Sequence, residues 1–200
     1  MSRTLTKSAA VAAIVAAVPH LPAIFATGYI SRIAASMTRQ DHHFYMTGSM
    51  GLALSIGTGF ALSARRTTLV VDGDGSLLMN PVGLIAAGAA TDLPLIHAVL
   101  DDGRYDSTGG QPTPGHTTDL SAWARACGIR DTHVFTEEDH LSTHLPRIAR
   151  DCRRPVFIRC LVAPDADAPP PRVSEDLAGI AERFRRAVAA PAPAVTTGGR

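Results

Sequence analysis

Two apolar segments that each end in an acidic glycine turn constrain the fold of this chain more than any other feature. Residues 67–75 read TTLVVDGDG, and residues 93–103 read LPLIHAVLDDG. Each segment has the length and composition of a buried strand, and a helix is predicted between them, from about Pro81 to Thr91. This order predicts a three-layer α/β fold, in which helices cover both faces of a parallel sheet.

The flanking segments continue the alternation of helices and strands. Residues 8–18, SAAVAAIVAAV, are too few to span a bilayer, and we expect a buried alanine-rich helix there rather than the apolar centre of a secretory signal. The glycine-rich segment 48–63 is expected to start as a helix N-terminus would, and its small residues suit close packing. Strands are also predicted at 21–27, 43–47, 132–135 and 155–163, and helices at 30–38, 119–127 and 136–151.

Length and composition fit one compact domain. The 200 residues are 46% hydrophobic, which is enough for a sizeable core. We expect the domain to occupy residues 1–163, and residues 164–200 to form the stiff linker PDADAPPP, a helix at about 174–188 and a disordered tail. The net charge of +1 favours neither nucleic acid nor an anionic membrane as a partner. Three cysteines without metal-type spacing favour a reducing cytoplasm.

Two aspartates are expected to meet at the carboxyl edge of the sheet. Residues 76–101 separate Gly75 from Asp102, a length of about one helix plus one strand, so a right-handed crossover brings both strand ends to one edge. Ligands of open α/β sheets bind at that edge. Asp74 and Asp102 could then hold a hard cation such as Mg²⁺, while the amides of Gly75 and Ser76 meet a phosphate. Taken alone, VDGDG is equally compatible with a plain strand-to-helix turn.

Three motifs in the same order resemble one family. HFYMTGSMG at 43–51, GDGSLLMN at 73–80 and DSTGGQPT at 106–113 look like the diphosphate-binding domain of thiamine-diphosphate-dependent decarboxylases, in the phosphonopyruvate and sulfopyruvate decarboxylase group. The resemblance covers residues 5–163. It implies the thiamine-diphosphate-binding fold, with thiamine diphosphate and Mg²⁺ as cofactors.

The resemblance also implies roles for individual residues. Asp74, Asp102 and the backbone carbonyl of Arg104 would ligate the metal. The carbonyl of Gly48 would accept from the 4′-amino group of the cofactor, and Met50 would be the bulky residue that bends the cofactor so that it can act as its own base. Further cofactor contacts are implied for Ser49, Gly73, Gly75, Ser76, Asp106 and Ser107.

The sequence departs from the family at one proposed metal ligand. Where the family has Asn-Asn or Asp-Asn, this chain has Asp101-Asp102. An aspartate at 102 still offers a hard oxygen, but it adds negative charge beside Asp74 and a diphosphate. We therefore expect an altered metal preference or affinity. The rival hypothesis is a non-catalytic subunit in which Asp102 has spoiled the metal site and the fold serves assembly.

Four residues are candidates for touching a substrate. Arg32, His43, Thr108 and His116 each adjoin a motif or a strand end. For Arg32, a role on the protein surface is an equal alternative. For Asp106, Ser107 and Thr108, the equal alternative is that their side chains stabilise a turn. His97 lies in the middle of a predicted strand and is expected to be a core histidine.

The resemblance also implies a partner. Thiamine enzymes need a glutamate that protonates the cofactor's aminopyrimidine ring, and it belongs to a separate pyrimidine-binding domain. In this chain no glutamate precedes Glu137. We expect a hetero-oligomer in which another subunit supplies that acid. The implied reaction converts phosphonopyruvate to phosphonoacetaldehyde and carbon dioxide, with sulfopyruvate decarboxylation or a carboligation as alternatives.

Overall fold

The computed structural model describes residues 4–37 and 39–189, with the side chain of His116 left out. The strands are β1 Ala23–Phe25, β2 His43–Tyr45, β3 Thr68–Gly73, β4 Leu95–Asp101, β5 Arg104–Tyr105, β6 Gln111–Pro112, β7 Asp131–Phe135 and β8 Val156–Leu161. The helices are α1 Lys7–Ala17, α2 Tyr29–Met37, α3 Ala53–Ala64, α4 Asp74–Met79, α5 Val82–Ala89, α6 Leu120–Ala126, α7 Glu138–Asp151 and α8 Leu177–Ala189.

Six of these strands form one parallel sheet. Their order is β2-β1-β3-β4-β8-β7, and each neighbouring pair is parallel. β5 and β6 form a separate antiparallel hairpin after β4. The parallel α/β fold predicted from the sequence is confirmed.

Helices cover both faces of the sheet, so the predicted three layers are also confirmed. One core lies between the sheet and α1, α2 and α7, and a second lies between the sheet and α3, α5 and α6. Gly57 of α3 packs directly on β3, because a Cβ there would lie 2.1 Å from Cγ2 of Val70. The small residues of this helix therefore permit a close approach between helix and sheet, as expected.

Two segments differ from the sequence-based prediction. The helix expected from Gly48 begins only at Ala53, because Ser49 and Gly51 adopt left-handed backbone angles (φ 55° and 92°) that form a turn. The acidic glycine turn after β3 is itself helical, since α4 starts at Asp74 with Gly73 as its N-cap. After β2 the chain therefore forms a turn where a longer helix was expected, and after β3 it forms a short helix where a turn was expected.

The segment after β8 packs against the start of α1. α1 is the buried alanine-rich helix that was expected, and the amide of Ala163 donates to the carbonyl of Leu5 at 2.9 Å. Asp165 accepts hydrogen bonds from the amide (3.1 Å) and hydroxyl (2.9 Å) of Ser8. The segment expected to be a stiff linker is thus attached to the start of α1. The predicted disordered tail at 190–200 lies outside the described residues. No helix in the described ranges combines the length and apolar character needed to cross a membrane.

His43 lies in the core and not in a cavity. Its side chain is 1% exposed, its ring packs edge-on against Phe25 at 5.1 Å, and its Nδ1 lies 3.3 Å from the hydroxyl of Tyr45. The expected contact of His43 with a substrate is therefore wrong, because strand β2 directs this side chain into the core beneath α2.

His43 makes the stability of the fold depend on pH. Burial, together with the nearby His42 and Arg183, lowers the pKa of His43 from 6.5 to about 3. Between these two pH values the unfolded state binds more protons than the folded state. The contribution of neutral His43 to the free energy of unfolding is therefore fully present above pH 6.5 and is lost as the pH falls towards 3. We expect a loss approaching about 1.4 kcal/mol per pH unit from this group. Replacement His43→Phe should flatten the dependence of unfolding free energy on pH between 4 and 6.5, measured by urea denaturation.

The exposed His140 provides a matched control. His140→Gln should leave the slope of unfolding free energy against pH unchanged. A His43→Phe protein that kept the full acid sensitivity of the parent chain would contradict this assignment.

Candidate functional site

Four loops converge at the carboxyl edge of the sheet. They follow β1, β2, β3 and β4 and surround two adjoining cavities that share Thr27, Met50 and Ser107. The acidic cavity is the one lined by Lys7, Asp74, Asp102, Asp106 and the backbone of Gly73–Ser76. The arginine cavity, of about 450 Å³, is lined by Arg32, Arg172, Gly48, Ser49 and Thr108. Apart from His43 and His116, the site residues predicted from the sequence line these two adjoining cavities and therefore meet in one cleft.

Asp74 opens α4 and is 1% exposed. Thr113 donates its hydroxyl hydrogen to Oδ2 of Asp74 at 2.6 Å. Burial raises the pKa of Asp74, and the hydrogen bond from Thr113 partly opposes that rise. Thr113 was not among the residues predicted for the site. Its place as the last residue of the DSTGGQPT motif is the sequence feature that could have identified it. The pair fixes one carboxylate oxygen and orients the other.

Asp102 and Asp106 share an ammonium group. Nζ of Lys7 lies 2.7 Å from Oδ2 of Asp102 and 2.7 Å from Oδ2 of Asp106. The side chains of Lys7 and Asp102 are 9% and 1% exposed. Burial raises the pKa of Asp102. Burial would lower the pKa of Lys7, but the hydrogen bonds that Lys7 donates to both carboxylates outweigh this effect and raise it. Sequence reasoning missed Lys7, because 95 residues separate it from Asp102.

The loop that carries Met50 is held by residues of the GDGSLLMN motif. Ser76 accepts a hydrogen bond from the amide of Gly51 through its Oγ at 3.2 Å. Nδ2 of Asn80 donates to the carbonyl of Gly51 at 3.1 Å. Met50, which lines both cavities, is thereby placed against the start of α4. Asn80 was not among the predicted site residues, and its place at the end of the motif is the signal that could have found it.

Gly75 lines the acidic cavity and packs against the ring of Tyr105. A Cβ at this position would lie 2.6 Å from Cδ1 of Tyr105, so any side chain would displace the Tyr105 ring. Gly75 and Ser76 follow Asp74 in the first turn of α4, and both line the cavity that Asp74 lines. This arrangement fits a phosphate group, which is bound by backbone amides at such sites.

The carboxylates of the acidic cavity fit a hard cation that also has ligands outside the protein. Asp74 and Asp102 line the same cavity, together with Arg104 of β5. Within the described ranges, no three His, Cys, Asp or Glu side chains converge as a protein-only ligand set. Mg²⁺ commonly takes one or two carboxylates and completes its shell with phosphate oxygens and water. The donor set therefore suits Mg²⁺ bound together with a diphosphate.

Arg32 and Arg172 bring positive charge to the arginine cavity. The guanidinium of Arg32 lies over the ring of Tyr29 at 5.0 Å and donates to the carbonyls of Pro169 and Pro170. Arg172 was missed by sequence reasoning, because it follows the proline-rich segment 164–171 and carries no motif. The segment after β8 thus supplies part of the cavity wall.

The remaining substrate candidates, Thr108 and His116, differ in what the structure shows of them. Thr108 lines the arginine cavity, and its hydroxyl also donates to the carbonyl of Tyr105 at 3.2 Å, which stabilises the turn. His116 belongs to the 3-10 turn Pro114–Thr117, and its side chain lies outside the described part of the structure. His97 is a core histidine, as expected, with Nε2 3.3 Å from Oδ2 of the buried Asp72.

Comparison with known proteins finds a matching family. The sequence profile described as "Thiamine pyrophosphate enzyme, C-terminal TPP binding domain" matches residues 26–160. A solved structure of a candidate thiamin diphosphate-dependent enzyme from Mycobacterium smegmatis has a TM-score of 0.67 and 21% identity, covering 82% of this chain and 33% of the other. At that identity the structural likeness supports the fold alone.

Curated relatives share more of the sequence. Phosphonopyruvate decarboxylase of Streptomyces viridochromogenes is 39% identical over 194 residues, which is 96% of this chain and 48% of the relative. Sulfopyruvate decarboxylase subunit beta of Methanothermobacter thermautotrophicus is 41% identical over 161 residues, which is 80% of this chain and 83% of the relative. The chain therefore spans about half the length of the phosphonopyruvate decarboxylase and most of the beta subunit.

Proposed function

Since this chain belongs to the thiamine pyrophosphate enzyme family, as its C-terminal TPP-binding domain, we propose that it is the diphosphate-binding subunit of a 2-oxo acid decarboxylase. The substrate we propose is phosphonopyruvate, cleaved to phosphonoacetaldehyde and carbon dioxide, with sulfopyruvate as the runner-up. The single observation that carries the substrate class is the arginine cavity, which adjoins the acidic cavity through Met50 and is lined by two arginines, Arg32 and Arg172.

The acidic cavity would hold the diphosphate and its metal. Asp74, Asp102 and the carbonyl of Arg104 are the proposed Mg²⁺ ligands, and the hydroxyl of Thr113 keeps Asp74 in position. The amides beside Gly73, Gly75 and Ser76 would bind phosphate oxygens, with Asp106 and Ser107 completing the wall. The charge of the metal would offset that of the carboxylates and the diphosphate together.

The loop after β2 would orient the reactive part of the cofactor. Gly48 has open space where a Cβ would stand, and it lines the arginine cavity together with Ser49 and Met50. Its carbonyl is the proposed acceptor from the 4′-amino group of the cofactor. When bound, thiamine diphosphate supplies the nucleophilic carbon and the electron sink that decarboxylation needs. Met50 would fix the bend of the cofactor, while Ser76 and Asn80 keep the loop rigid through Gly51.

The arginine cavity would select a substrate with a second anionic group. Phosphonate and sulfonate are tetrahedral anions, and a guanidinium matches their oxygens with several N–H donors. Arg172 and Arg32 lie on the cavity that also contains Met50, so an anion bound there would stand next to the reactive part of the cofactor. The curated relatives are named for phosphonopyruvate and sulfopyruvate, which supports this class of substrate.

A second chain would complete the site. In the described part of this chain no glutamate lines either cavity, although the family needs one to protonate the aminopyrimidine. Near Met50, α3, α4 and α5 expose uncharged apolar side chains where a partner could dock: Leu52, Ile56, Met79, Val82 and Ile85. Exposed apolar patches of this kind mark interaction surfaces. We propose that a pyrimidine-domain subunit covers this face, and the name "subunit beta" of one relative supports that arrangement.

Arg172 provides a test of the substrate class. In the complex with the pyrimidine-domain subunit, Arg172→Met should raise KM for phosphonopyruvate about tenfold or more, because a charge-assisted hydrogen bond is lost. Turnover of pyruvate, which lacks the second anion, should change little. Steady-state kinetics with both substrates measures the difference. Arg130→Met, at an exposed arginine that lines neither cavity, is the control. Equal losses for both substrates would contradict the assignment.

Ile85 provides a test of the partner surface. The side chain is 57% exposed on α5, and Ile85→Asp should weaken binding of the pyrimidine-domain subunit by at least about tenfold, since a charge would be buried at an apolar contact. Val134→Asp is the matched control, because Val134 is 53% exposed on the edge strand β7. Affinity is measured by calorimetry or sedimentation. If the two substitutions weakened association equally, the α3–α5 face would not be the docking surface.

A further inference from the structure

Lys7 is the only lysine in the sequence, and the remaining basic side chains other than histidine are arginines. Its ammonium does not lie on the surface. It bridges Asp102 and Asp106 at 2.7 Å each and lies 5.9 Å from the ring centroid of Tyr29. An ammonium removed from water at this depth is stable only when carboxylates compensate the lost hydration. A compact ammonium can serve two carboxylates at once where a planar guanidinium needs more room.

The position of Lys7 is fixed from both sides. Thr6 caps α1 by accepting from the amide of Ala9 at 3.2 Å, and it pairs with Ala163 in a parallel bridge. Asp165 holds Ser8 through its amide and hydroxyl. The first turn of α1 is thus tied to the chain that follows β8. These contacts with the segment after β8 hold Lys7 at the acidic cavity.

Lys7 compensates part of the negative charge in the acidic cavity. Asp74, Asp102 and Asp106 all line a cavity that, under the proposed function, receives a diphosphate. An asparagine at 102, which is usual in the resembling family, would add no charge. The aspartate here adds one, and the ammonium of Lys7 is in contact with that same carboxylate through Oδ2. Oδ1 of Asp102 accepts a longer hydrogen bond, 3.4 Å, from the amide of Arg104.

We propose that Lys7 is a positioning residue that offsets the charge of Asp102, in a bridge shared with Asp106, so that an aspartate can take the place of asparagine in a metal–diphosphate site. Lys7 holds Oδ2 and leaves Oδ1 for the cation. This inference rests on the proposed function, and it assigns the charge compensation to a residue far away in the sequence. It also makes the rival hypothesis, a metal site spoiled by Asp102, unnecessary.

A double-mutant cycle tests this role. The variants are Lys7→Met, Asp102→Asn and the combination of both, and the probes are Mg²⁺ with inorganic pyrophosphate, followed by calorimetry. Lys7→Met should weaken pyrophosphate binding by about tenfold or more in the parent chain, because the cavity gains one uncompensated negative charge. In the Asp102→Asn background the same replacement should weaken binding less than about threefold.

Two further measurements separate charge compensation from a merely structural role. Mn²⁺ without phosphate should bind Lys7→Met more tightly than the parent, because a competing cation has been removed while the carboxylates remain. Should Lys7→Met alone fail to fold, the double variant should recover both folding and pyrophosphate binding. Lys7→Met with Asp106→Asn, in which Asp102 stays charged, should recover less pyrophosphate binding than the combination with Asp102→Asn, because the carboxylate left without its ammonium is then the proposed metal ligand.

The outcomes distinguish this inference from the proposed function. Equal losses caused by Lys7→Met in both backgrounds, or weaker binding of Mn²⁺, would overturn the role of Lys7 while leaving the cofactor assignment intact. A parent chain that bound neither Mg²⁺ nor pyrophosphate would contradict both.

Discussion

The parallel register of β3 and β4 is the constraint on which the site depends. Gly73 stands opposite Leu100 in that register, so the residues that follow the two strands, Asp74 and Asp102, emerge at the same edge of the sheet. A shift of the register would separate the two carboxylates from each other. The cores on both faces make such a shift costly, because β3 and β4 are buried on both sides. Binding geometry at the edge is therefore a consequence of packing in the middle of the sheet.

The four aspartates at this edge are paired with hydrogen-bond donors or cations. Asp74 accepts from Thr113, Asp101 is paired with Arg159 at 2.6 Å, and Asp102 shares Lys7 with Asp106. A cluster of unpaired carboxylates would repel one another and become protonated. The observed pairs reduce that repulsion at the place where a divalent cation would bind. The same pairs link α1, the β5–β6 hairpin and β8 to the edge of the sheet.

Much of the fold follows from local sequence, whereas part of the site does not. The apolar runs that became β3 and β4 predict buried strands by themselves, and the three motifs locate Gly48, Asp74 and Ser107 on one cleft. Lys7 and Arg172 escaped prediction because they reach the cleft through tertiary contacts at the two ends of the chain. His43 was misassigned for the reverse reason, since proximity to a motif in sequence does not determine which side of β2 a side chain occupies. Long-range packing, invisible to pattern and spacing, decided these three positions.

The most direct test of the account is calorimetric titration of thiamine diphosphate into this chain, with and without Mg²⁺ and a pyrimidine-domain subunit. We expect binding that requires the metal, that tightens when the partner is present and that disappears in Asp74→Ala, while Asp102→Asn keeps or improves it. Absence of metal-dependent binding in every combination would contradict it. The fold would then have been retained without cofactor chemistry, and the chain would serve assembly.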